Sequence, residues 1–293
     1  MLPRVRLPYS AIVHRPRLEL PDGGRIIVWP VVNLEEWEIT RPMARSYSPP
    51  PMGKPQVPDF PNWAWHEYGM RVGFWRLKEA FDKRGIQPTL SINAMVCQST
   101  PDVPKAALEA GWEFMAHCVV QMPMQMVEDE PAMIRESMAM IEDFTKARPR
   151  GWLGPGRTQT WDTLDHVREA GFEYFGDWVL DDQPCWVRTT HGPLVSIPYS
   201  VELNDITVHL SQQLSSDALM RRAVDAFDQL YAESEKSVRV CAIGVHPYVT
   251  GAAHRIRYFE ELLDHISRHD GVVWKTGDQI LDWFAGQVPA PQD

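Results

Sequence analysis

Two matched stretches of the sequence each end in a titratable side chain. EAGWEFMAH ends at His117, and EAGFEYFGD ends at Asp177. In both, a glycine follows a helical stretch and an aromatic residue begins an apolar one, which is typical of a helix followed by a strand. His117 and Asp177 would then lie at the carboxyl ends of two strands, where parallel α/β proteins assemble their sites. The repeated pattern predicts that both side chains converge on one pocket.

Other charged side chains also follow apolar, strand-like stretches. His246 closes the stretch VRVCAIGVHP, Glu35 follows RIIVWPVV, and GDWVLDDQPCW contains a carboxylate cluster that includes Asp182. Imidazoles and carboxylates at such positions can act as general acids and bases. The candidate catalytic residues are therefore Glu35, His117, Asp182 and His246. Solvated loop charges and turn-capping aspartates are the ordinary alternatives for the carboxylates.

Polar and aromatic residues near the same strand ends could hold an oxygen-rich substrate. Arg157 lies in the glycine- and proline-rich turn of GWLGPGRTQT, after a short extended stretch. The candidate substrate-binding residues are Arg157, Trp152, Asp177, Gln121, Tyr199 and Asn204. The sequence contains no GxSxG elbow, no HExxH motif and no glycine-rich phosphate loop after a strand. Serine-hydrolase, zincin and dinucleotide-binding chemistry are therefore not supported.

Composition narrows the class of protein. The 293 residues are 44% hydrophobic and 23% charged, and the net charge is −10, which argues against nucleic acid as a partner. No apolar run approaches the length of about 20 residues that a membrane span needs. The amino-terminal stretch has no apolar core of signal-peptide length, and the four cysteines lack CxxC spacing. We expect a cytoplasmic protein with reduced thiols.

Alternating helix-like and strand-like stretches predict an α/β fold with a largely parallel sheet. About seven strands can be counted, which favours a single (β/α) barrel over residues 1–293; an open, doubly wound sheet is the alternative. Residues 40–62, TRPMARSYSPPPMGKPQVPDFPN, are too rich in proline for a long helix or a central strand. They predict an ordered arm that packs on a neighbouring subunit or caps its pocket.

Six stretches, in this order, resemble the polysaccharide deacetylase (NodB-homology) superfamily, and most of all its branch of allantoinase-like proteins and cyclic imide hydrolases. They are RVGFWRLKEAFDKRGIQPT, ALEAGWEFMAHC, GWLGPGRTQT, GDWVLDDQPCW, IPYSVELND and HPYVTGAAHRIRYFEELLDHISRHDGVVWKT. The likeness covers residues 29–284. It implies a distorted (β/α) barrel, hydrolysis of a C–N amide bond and a homotetramer.

The chain departs from the metal-dependent members of that superfamily. Those members resemble one another in an Asp-Asp motif after the first strand, where this chain has Asn33 and Glu35. They also carry a His-x-x-x-His motif, which here keeps His117 but has Gln121 at the second position. A neutral amide is a poor ligand for a transition metal. We therefore expect no metal cofactor; one zinc ion is the alternative.

Hydrolysis of an amide without a metal needs a base to activate water and donors to hold the oxyanion. We predict Glu35 as the base and His117 and His246 as polarising or proton-donating groups. Asp182 would orient a partner, and Arg157 would hold a carbonyl oxygen. A cyclic imide suits this chemistry, because the second carbonyl stabilises the nitrogen that leaves.

The sequence thus predicts a metal-independent hydrolase of a small cyclic amide or imide. Two other functions stay open: a metal-dependent N-deacetylase of an amino sugar or polysaccharide, and a non-catalytic binding protein on the same fold.

Overall fold

In the computed structural model, which describes residues 2–43 and 45–291, the chain folds around one nine-stranded sheet. Met1, Ala44, Gln292 and Asp293 lie outside the described residues. The strands are β1 (Ile26–Leu34), β2 (Thr89–Ile92), β3 (Glu113–Ala116), β4 (Gly151–Trp152), β5 (Tyr174–Phe175), β6 (Cys185–Thr189), β7 (Gly192–Ser196), β8 (Arg239–Val245) and β9 (Val272–Trp274).

The strand order is β6-β7-β5-β4-β3-β2-β1-β8, and β9 also pairs with β1. Every pairing is parallel except that of β6 with β7. The sheet curls into a half barrel, which confirms the predicted α/β fold and distorted (β/α) barrel.

Helices cover the outside of the sheet, except that the last helix packs Ile280, Leu281 and Phe284 against the core inside the half barrel. They are α1 (Pro3–Arg6), α2 (Phe60–Tyr68), α3 (Phe74–Asp82), α4 (Val96–Ser99), α5 (Asp102–Glu109), α6 (Glu130–Thr145), α7 (Thr163–Glu169), α8 (Ala218–Glu233), α9 (Ile256–Ser267) and α10 (Gly277–Gln287). Two π-helical turns, Gly69–Gly73 and Ile206–Ser211, and several short 3₁₀ turns lie between them. No helix of the described residues combines the length and the apolar character needed to cross a bilayer.

The two repeated stretches form the same helix-to-strand connection. Gly111 and Gly171 end α5 and α7 with φ of +74° and +97°, a left-handed conformation that glycine adopts without strain. In each connection the residue after the glycine donates its backbone N–H to the carbonyl five residues back, as in a Schellman motif. The strands β3 and β5 follow directly, so the predicted helix-to-strand architecture is confirmed.

The two faces of each strand pack against different layers. On β1, Ile27, Trp29 and Val31 lie in the core inside the half barrel, whereas Val28 and Val32 lie in the core between sheet and helices. On β3 and β8 the same alternation holds. Side chains that continue the inward-facing positions past the carboxyl ends of these strands therefore point into the mouth of the barrel.

The number of strands differs from the prediction. The sheet has nine strands among the described residues rather than about seven, since an antiparallel hairpin of β6 and β7 forms one edge. The stretch of β6 alternates poorly, because it carries the exposed Arg188 at the edge of the sheet. Within the single chain, the described residues of the arm at 40–62 contact their own barrel: Arg45 reaches the barrel mouth, and the Asn62 side chain bonds the backbone of Tyr47 and Ser48. The packing of this arm on a neighbouring subunit stays a prediction.

Candidate active site

A cleft opens at the carboxyl ends of the strands. Strand alternation explains its lining: Asn33 and Glu35 continue the inner face of β1, His117 that of β3 and His246 that of β8. The lining residues are Asn33, Glu35, Arg45, His117, Leu153, Gly154, Gly156, Arg157, Tyr199, Asn204, Ile206, Thr207 and His246.

Glu35 is the most heavily bonded group of the cleft. Its buried carboxylate accepts hydrogen bonds from four donors: Arg45 Nη1 at 2.9 and 3.1 Å, Tyr248 OH at 2.6 Å, Gln121 Nε2 at 2.8 Å and Trp37 Nε1 at 3.2 Å. Burial alone would raise the pKa of Glu35, but the charges of Arg45 and His246 outweigh it and hold the pKa well below its ordinary value. Glu35 is therefore an anion across the working pH range.

His246 and Asp205 form a hydrogen-bonded pair beside Glu35. Asp205 is buried and accepts from the His246 Nδ1–H at 2.6 Å, from the His246 backbone N–H at 2.7 Å and from Thr250 Oγ1 at 2.7 Å. His246 Nε2 lies 3.4 Å from Glu35 Oε1. Burial opposes protonation, but the two carboxylates outweigh it and raise the pKa of His246. This pair can hold and deliver a proton at Nε2.

His117 presents the opposite state. Its Nδ1–H donates to the backbone carbonyl of Leu153, so Nε2 carries the lone pair of a neutral imidazole. Burial lowers the pKa of His117 to about 4. A neutral and a proton-bearing histidine thus line one cleft.

Tyr199 is held so that its own proton is available. Its phenol oxygen accepts hydrogen bonds from Asn33 Nδ2 at 3.0 Å and from Asn204 Nδ2 at 2.8 Å. Within the described residues, the hydroxyl donates to no other group. A β-carbon on Gly244 would lie 2.5 Å from this hydroxyl, so only glycine fits there. The Tyr199 O–H can therefore donate to a carbonyl oxygen in the cleft.

Asp177 lies beneath the cleft rather than in its lining. Its carboxylate accepts from the backbone N–H of Gly154 at 2.6 Å and from Gln159 Nε2 at 2.7 Å, so it supports the loop that carries Arg157. Tyr174 is the inner residue of β5, so Asp177, three residues on, falls on the other side. Burial raises the pKa of Asp177 to about 7.

A pH dependence of stability follows. The pKa of Asp177 is about 7 in the fold against an ordinary 3.8, so the folded state keeps a proton that the unfolded state loses as pH rises. This contribution is present below pH 4 and is lost as pH rises through 7. We expect Asp177→Asn to reduce the fall in melting temperature between pH 5 and 8 by roughly 5 °C. Thermal unfolding followed by circular dichroism measures this, with the exposed Asp143→Asn as the control. An equal slope of melting temperature against pH in the wild type and in Asp177→Asn would contradict the assignment.

Two predicted site residues lie elsewhere. The prediction that Asp182 shares the pocket is wrong: it is exposed, and its carbonyl accepts the N–H of Val240 near the start of β8, at the amino ends of the strands. The chain crosses to that end before the hairpin begins. The prediction of Trp152 as a substrate-binding residue is also wrong, because the strand turns its side chain outward into the core between sheet and helices.

The other predicted residues lie in or beside the cleft. Arg157, Tyr199 and Asn204 line it, and Gln121 donates to Glu35. Arg157 has φ of +59°, in a turn that aims it at the opening. Their roles in binding stay predictions.

Sequence reasoning missed Arg45, Tyr248 and the role of Asp205. Tyr248 follows His246 by two residues, so its place beside the cleft could have been found from the same strand end. Asp205 lies 41 residues before its partner His246, and no local pattern joins them. Arg45 comes from the proline-rich arm, whose path depends on tertiary contacts.

The donors of the cleft fit a divalent transition metal poorly. Both oxygens of Glu35 already accept hydrogen bonds, and the Arg45 guanidinium occupies the space next to them. Asn33 and Gln121 turn amide N–H groups, not lone pairs, toward their neighbours. Among the described residues of the cleft, no three His, Cys, Asp or Glu ligand atoms lie within 4.8 Å of one another.

Comparisons with known proteins give relatives of similar size. No family model matches the chain. A protein of Schizosaccharomyces pombe (strain 972 / ATCC 24843) described as a polysaccharide deacetylase is 30% identical over 245 residues, which is 76% of each chain. The crystal structure of PuuE allantoinase is 27% identical, with a TM-score of 0.86, over 95% of this chain and 96% of that one.

A third relative is a probable polysaccharide deacetylase from Pseudomonas aeruginosa PAO1, whose crystal structure is 27% identical. Its TM-score is 0.84 over 94% of this chain and 96% of that one. With the deacetylase of 30% identity and the barrel described above, these matches show the family: the chain belongs to the polysaccharide deacetylase superfamily.

Proposed function

We propose that this protein hydrolyses a C–N bond of a small cyclic amide or imide and does so without a metal ion. The observation that carries the proposal is the ion pair of Arg45 with Glu35, 2.9 Å, at the carboxyl end of β1. The Arg45 guanidinium supplies a fixed positive charge at this position. Unlike a metal ion, it does not need an oxygen of Glu35 that is free of hydrogen bonds. The likeness to an allantoinase structure over nearly the whole chain supports the same reaction class.

Glu35 and His246 divide the proton transfers in this proposal. Glu35 Oε1 and His246 Nε2 lie 3.4 Å apart and line the same cleft, so a water molecule in the cleft can contact both groups. Glu35 accepts a proton from the water as it attacks the carbonyl carbon. His246, whose Nε2 bears a proton, donates it to the nitrogen as the C–N bond breaks, and Asp205 holds the imidazole in that orientation.

The donors around the cleft stabilise the oxyanion. The Tyr199 O–H and the Arg45 and Arg157 guanidinium groups line the same space, and they can bind the carbonyl oxygens of a ring. His117 offers a lone pair at Nε2, which suits a ring N–H. A ring that presents alternating C=O and N–H groups therefore matches this lining.

The weakness of the base selects the substrate. The low pKa of Glu35 makes its carboxylate a poor proton acceptor, so the reaction needs an activated carbonyl and a good leaving group. In a cyclic imide the second carbonyl stabilises the leaving nitrogen, whereas an N-acetyl sugar lacks this help.

Arg157→Ala tests the role assigned to that guanidinium. Arg157 touches the substrate in this proposal but moves no proton, so its loss weakens ground-state and transition-state binding alike. We expect KM to rise about 10-fold, the loss of one charge-assisted hydrogen bond, while kcat changes little. Steady-state kinetics measure both constants, with the exposed Arg135→Ala as control. A fall in kcat at constant KM would contradict the binding role.

A metal-dependent N-deacetylase is the second candidate function. It is favoured by the names of the relatives from Schizosaccharomyces pombe and Pseudomonas aeruginosa. The donor set of the cleft argues against it for this chain. A non-catalytic binding protein is the third, and it predicts ligand binding without turnover.

The experiment is a hydrolysis screen of purified protein. Hydantoins, allantoin, succinimides and phthalimides are compared with N-acetylglucosamine oligomers, and ring opening is followed by ultraviolet absorbance and mass spectrometry. The proposal expects turnover only among the rings. Acetate release from the sugars would favour the deacetylase instead, and binding without turnover would favour the non-catalytic protein.

We further propose that the protein is a homotetramer, as the family resemblance implies. Apolar side chains of the arm stay exposed in the single chain, among them Tyr47, Met52 and Phe60. A neighbouring subunit would cover them. Light scattering of the wild type and of a variant with a shortened arm measures the assembly, and a monomeric wild type would exclude this part.

A further inference from the structure

A second cluster of metal-ligating side chains lies away from the cleft, between two helices. Asp228 lies on α8, His265 lies in the last turn of α9, and His269 follows four residues later. One ligand atom from each residue lies within 4.8 Å of the other two. The proposed reaction uses none of these three residues.

The distances are close to those of a metal site. His265 Nε2 lies 2.8 Å from Asp228 Oδ1, and His269 Nε2 lies 3.9 Å from the same oxygen. In tetrahedral zinc sites, bonds of about 2.0–2.2 Å place ligand atoms about 3.3 Å apart. The two distances to Asp228 Oδ1 lie on either side of that separation, so small side-chain rotations would form the site.

The orientation of His269 is already fixed for a metal. Its Nδ1–H donates to the backbone carbonyl of His265 at 3.0 Å, which leaves the lone pair on Nε2, facing Asp228. Metal-binding histidines commonly use the other ring nitrogen in this way. The imidazole also packs edge-on against Phe227 and Tyr231, with ring centroids 5.0 Å apart in each case.

A metal ion could reach this cluster from solvent. The side chains of His265 and His269 are 31% and 29% exposed, and that of Asp228 is 49% exposed. Two imidazoles and one carboxylate suit zinc, and three protein ligands leave a fourth position for water. The exposure of these three side chains lies between that of a buried core cluster and that of a surface ion pair.

The position in the fold speaks for a structural role. His269 lies three residues before β9, and α8 ends shortly before β8, so both helix ends are at the amino ends of the strands. The cleft lies at the carboxyl ends. We propose that Asp228, His265 and His269 bind one zinc ion that joins α8 to the end of α9 and stabilises the fold, without a part in the reaction.

Zinc titration of the metal-free protein tests this site. Protein without a histidine tag is treated with chelator and titrated with zinc chloride by calorimetry, and its melting temperature is recorded with and without zinc. We expect one ion per chain, and a rise of roughly 5 °C when free zinc is about a hundred times its dissociation constant. The variants His265→Ala/His269→Ala and Asp228→Asn should lose both effects and keep wild-type kcat.

Two controls make the result decisive. His191→Ala removes an exposed imidazole elsewhere and should bind zinc like the wild type. His117→Ala alters only the cleft and should also keep the ion. Zinc binding that survives in His265→Ala/His269→Ala, or that is lost in His117→Ala, overturns the proposal, as does the absence of any saturable zinc binding. Asp228→Asn keeps the shape of the side chain, so a failure of the double variant to fold leaves the test intact.

Discussion

Replacing Glu35 with glutamine should lower kcat on a ring substrate by about 10²- to 10⁴-fold, the usual cost of losing a general base. The amide keeps the shape of the side chain but cannot accept the proton of the attacking water. The change should also lower stability by about 1–3 kcal/mol, because it leaves Arg45 without its anion in a largely buried position. A solvated loop carboxylate, which was the ordinary alternative from the sequence, would carry no such cost, but Glu35 is buried.

The control is the neighbouring Glu36→Gln, which removes a carboxylate that bonds Ser99 outside the cleft lining. Its kcat should stay near that of the wild type. Steady-state kinetics and thermal unfolding on the same samples separate chemistry from stability. Near-normal kcat in Glu35→Gln, together with lost activity in Asp177→Asn, would move the base to the loop after β5.

The Asp205→Asn variant should have an effect of similar size, with a signature in the pH profile. The carboxylates of Asp205 and Glu35 raise the pKa of His246 against the effect of burial. Activity that needs protonated His246 is present below that pKa and is lost as pH rises through it. Removing the charge of Asp205 lowers the pKa, so the high-pH limb of kcat should move to lower pH and kcat should fall about 10²- to 10⁴-fold.

Thr250→Val is the matched control for Asp205→Asn. It removes one hydrogen bond to Asp205 but keeps the charge of that carboxylate. We therefore expect kcat to fall far less and the high-pH limb of the kcat profile to stay at the same pH. A pH profile of Asp205→Asn that coincides with the wild type would show that His246 is not the proton donor.

Local sequence patterns predicted the strand ends but not which way every side chain faces. Glu35, His117 and His246 continue the inward-facing positions of β1, β3 and β8 and therefore lie in one cleft. Alternation within a strand is a local property, so the sequence could predict this. Asp177 has the same offset from its glycine as His117, yet it lies on the other side of β5. Packing between strands and helices decides which residues of each strand face the inside of the barrel. A single local stretch of sequence does not contain that information.

The contacts that complete the cleft join distant parts of the chain. Glu35 and Tyr248 lie 213 residues apart, and Asn33 and Tyr199 lie 166 residues apart. Asp182 was misplaced for a related reason, since the chain crosses to the amino ends of the strands between β5 and β6, where Asp182 meets Val240 of β8. Predicting such pairs needs the order of the strands in the sheet.

The central claim is that this cleft breaks a C–N bond without a metal ion, and one measurement tests it most directly. Zinc content and kcat are determined on the same metal-depleted samples of the wild type and of His265→Ala/His269→Ala, with the best ring substrate of the screen. We expect kcat to be unchanged after chelation and independent of added zinc in both proteins. Activity that disappears with the metal and returns in proportion to bound zinc would contradict the account.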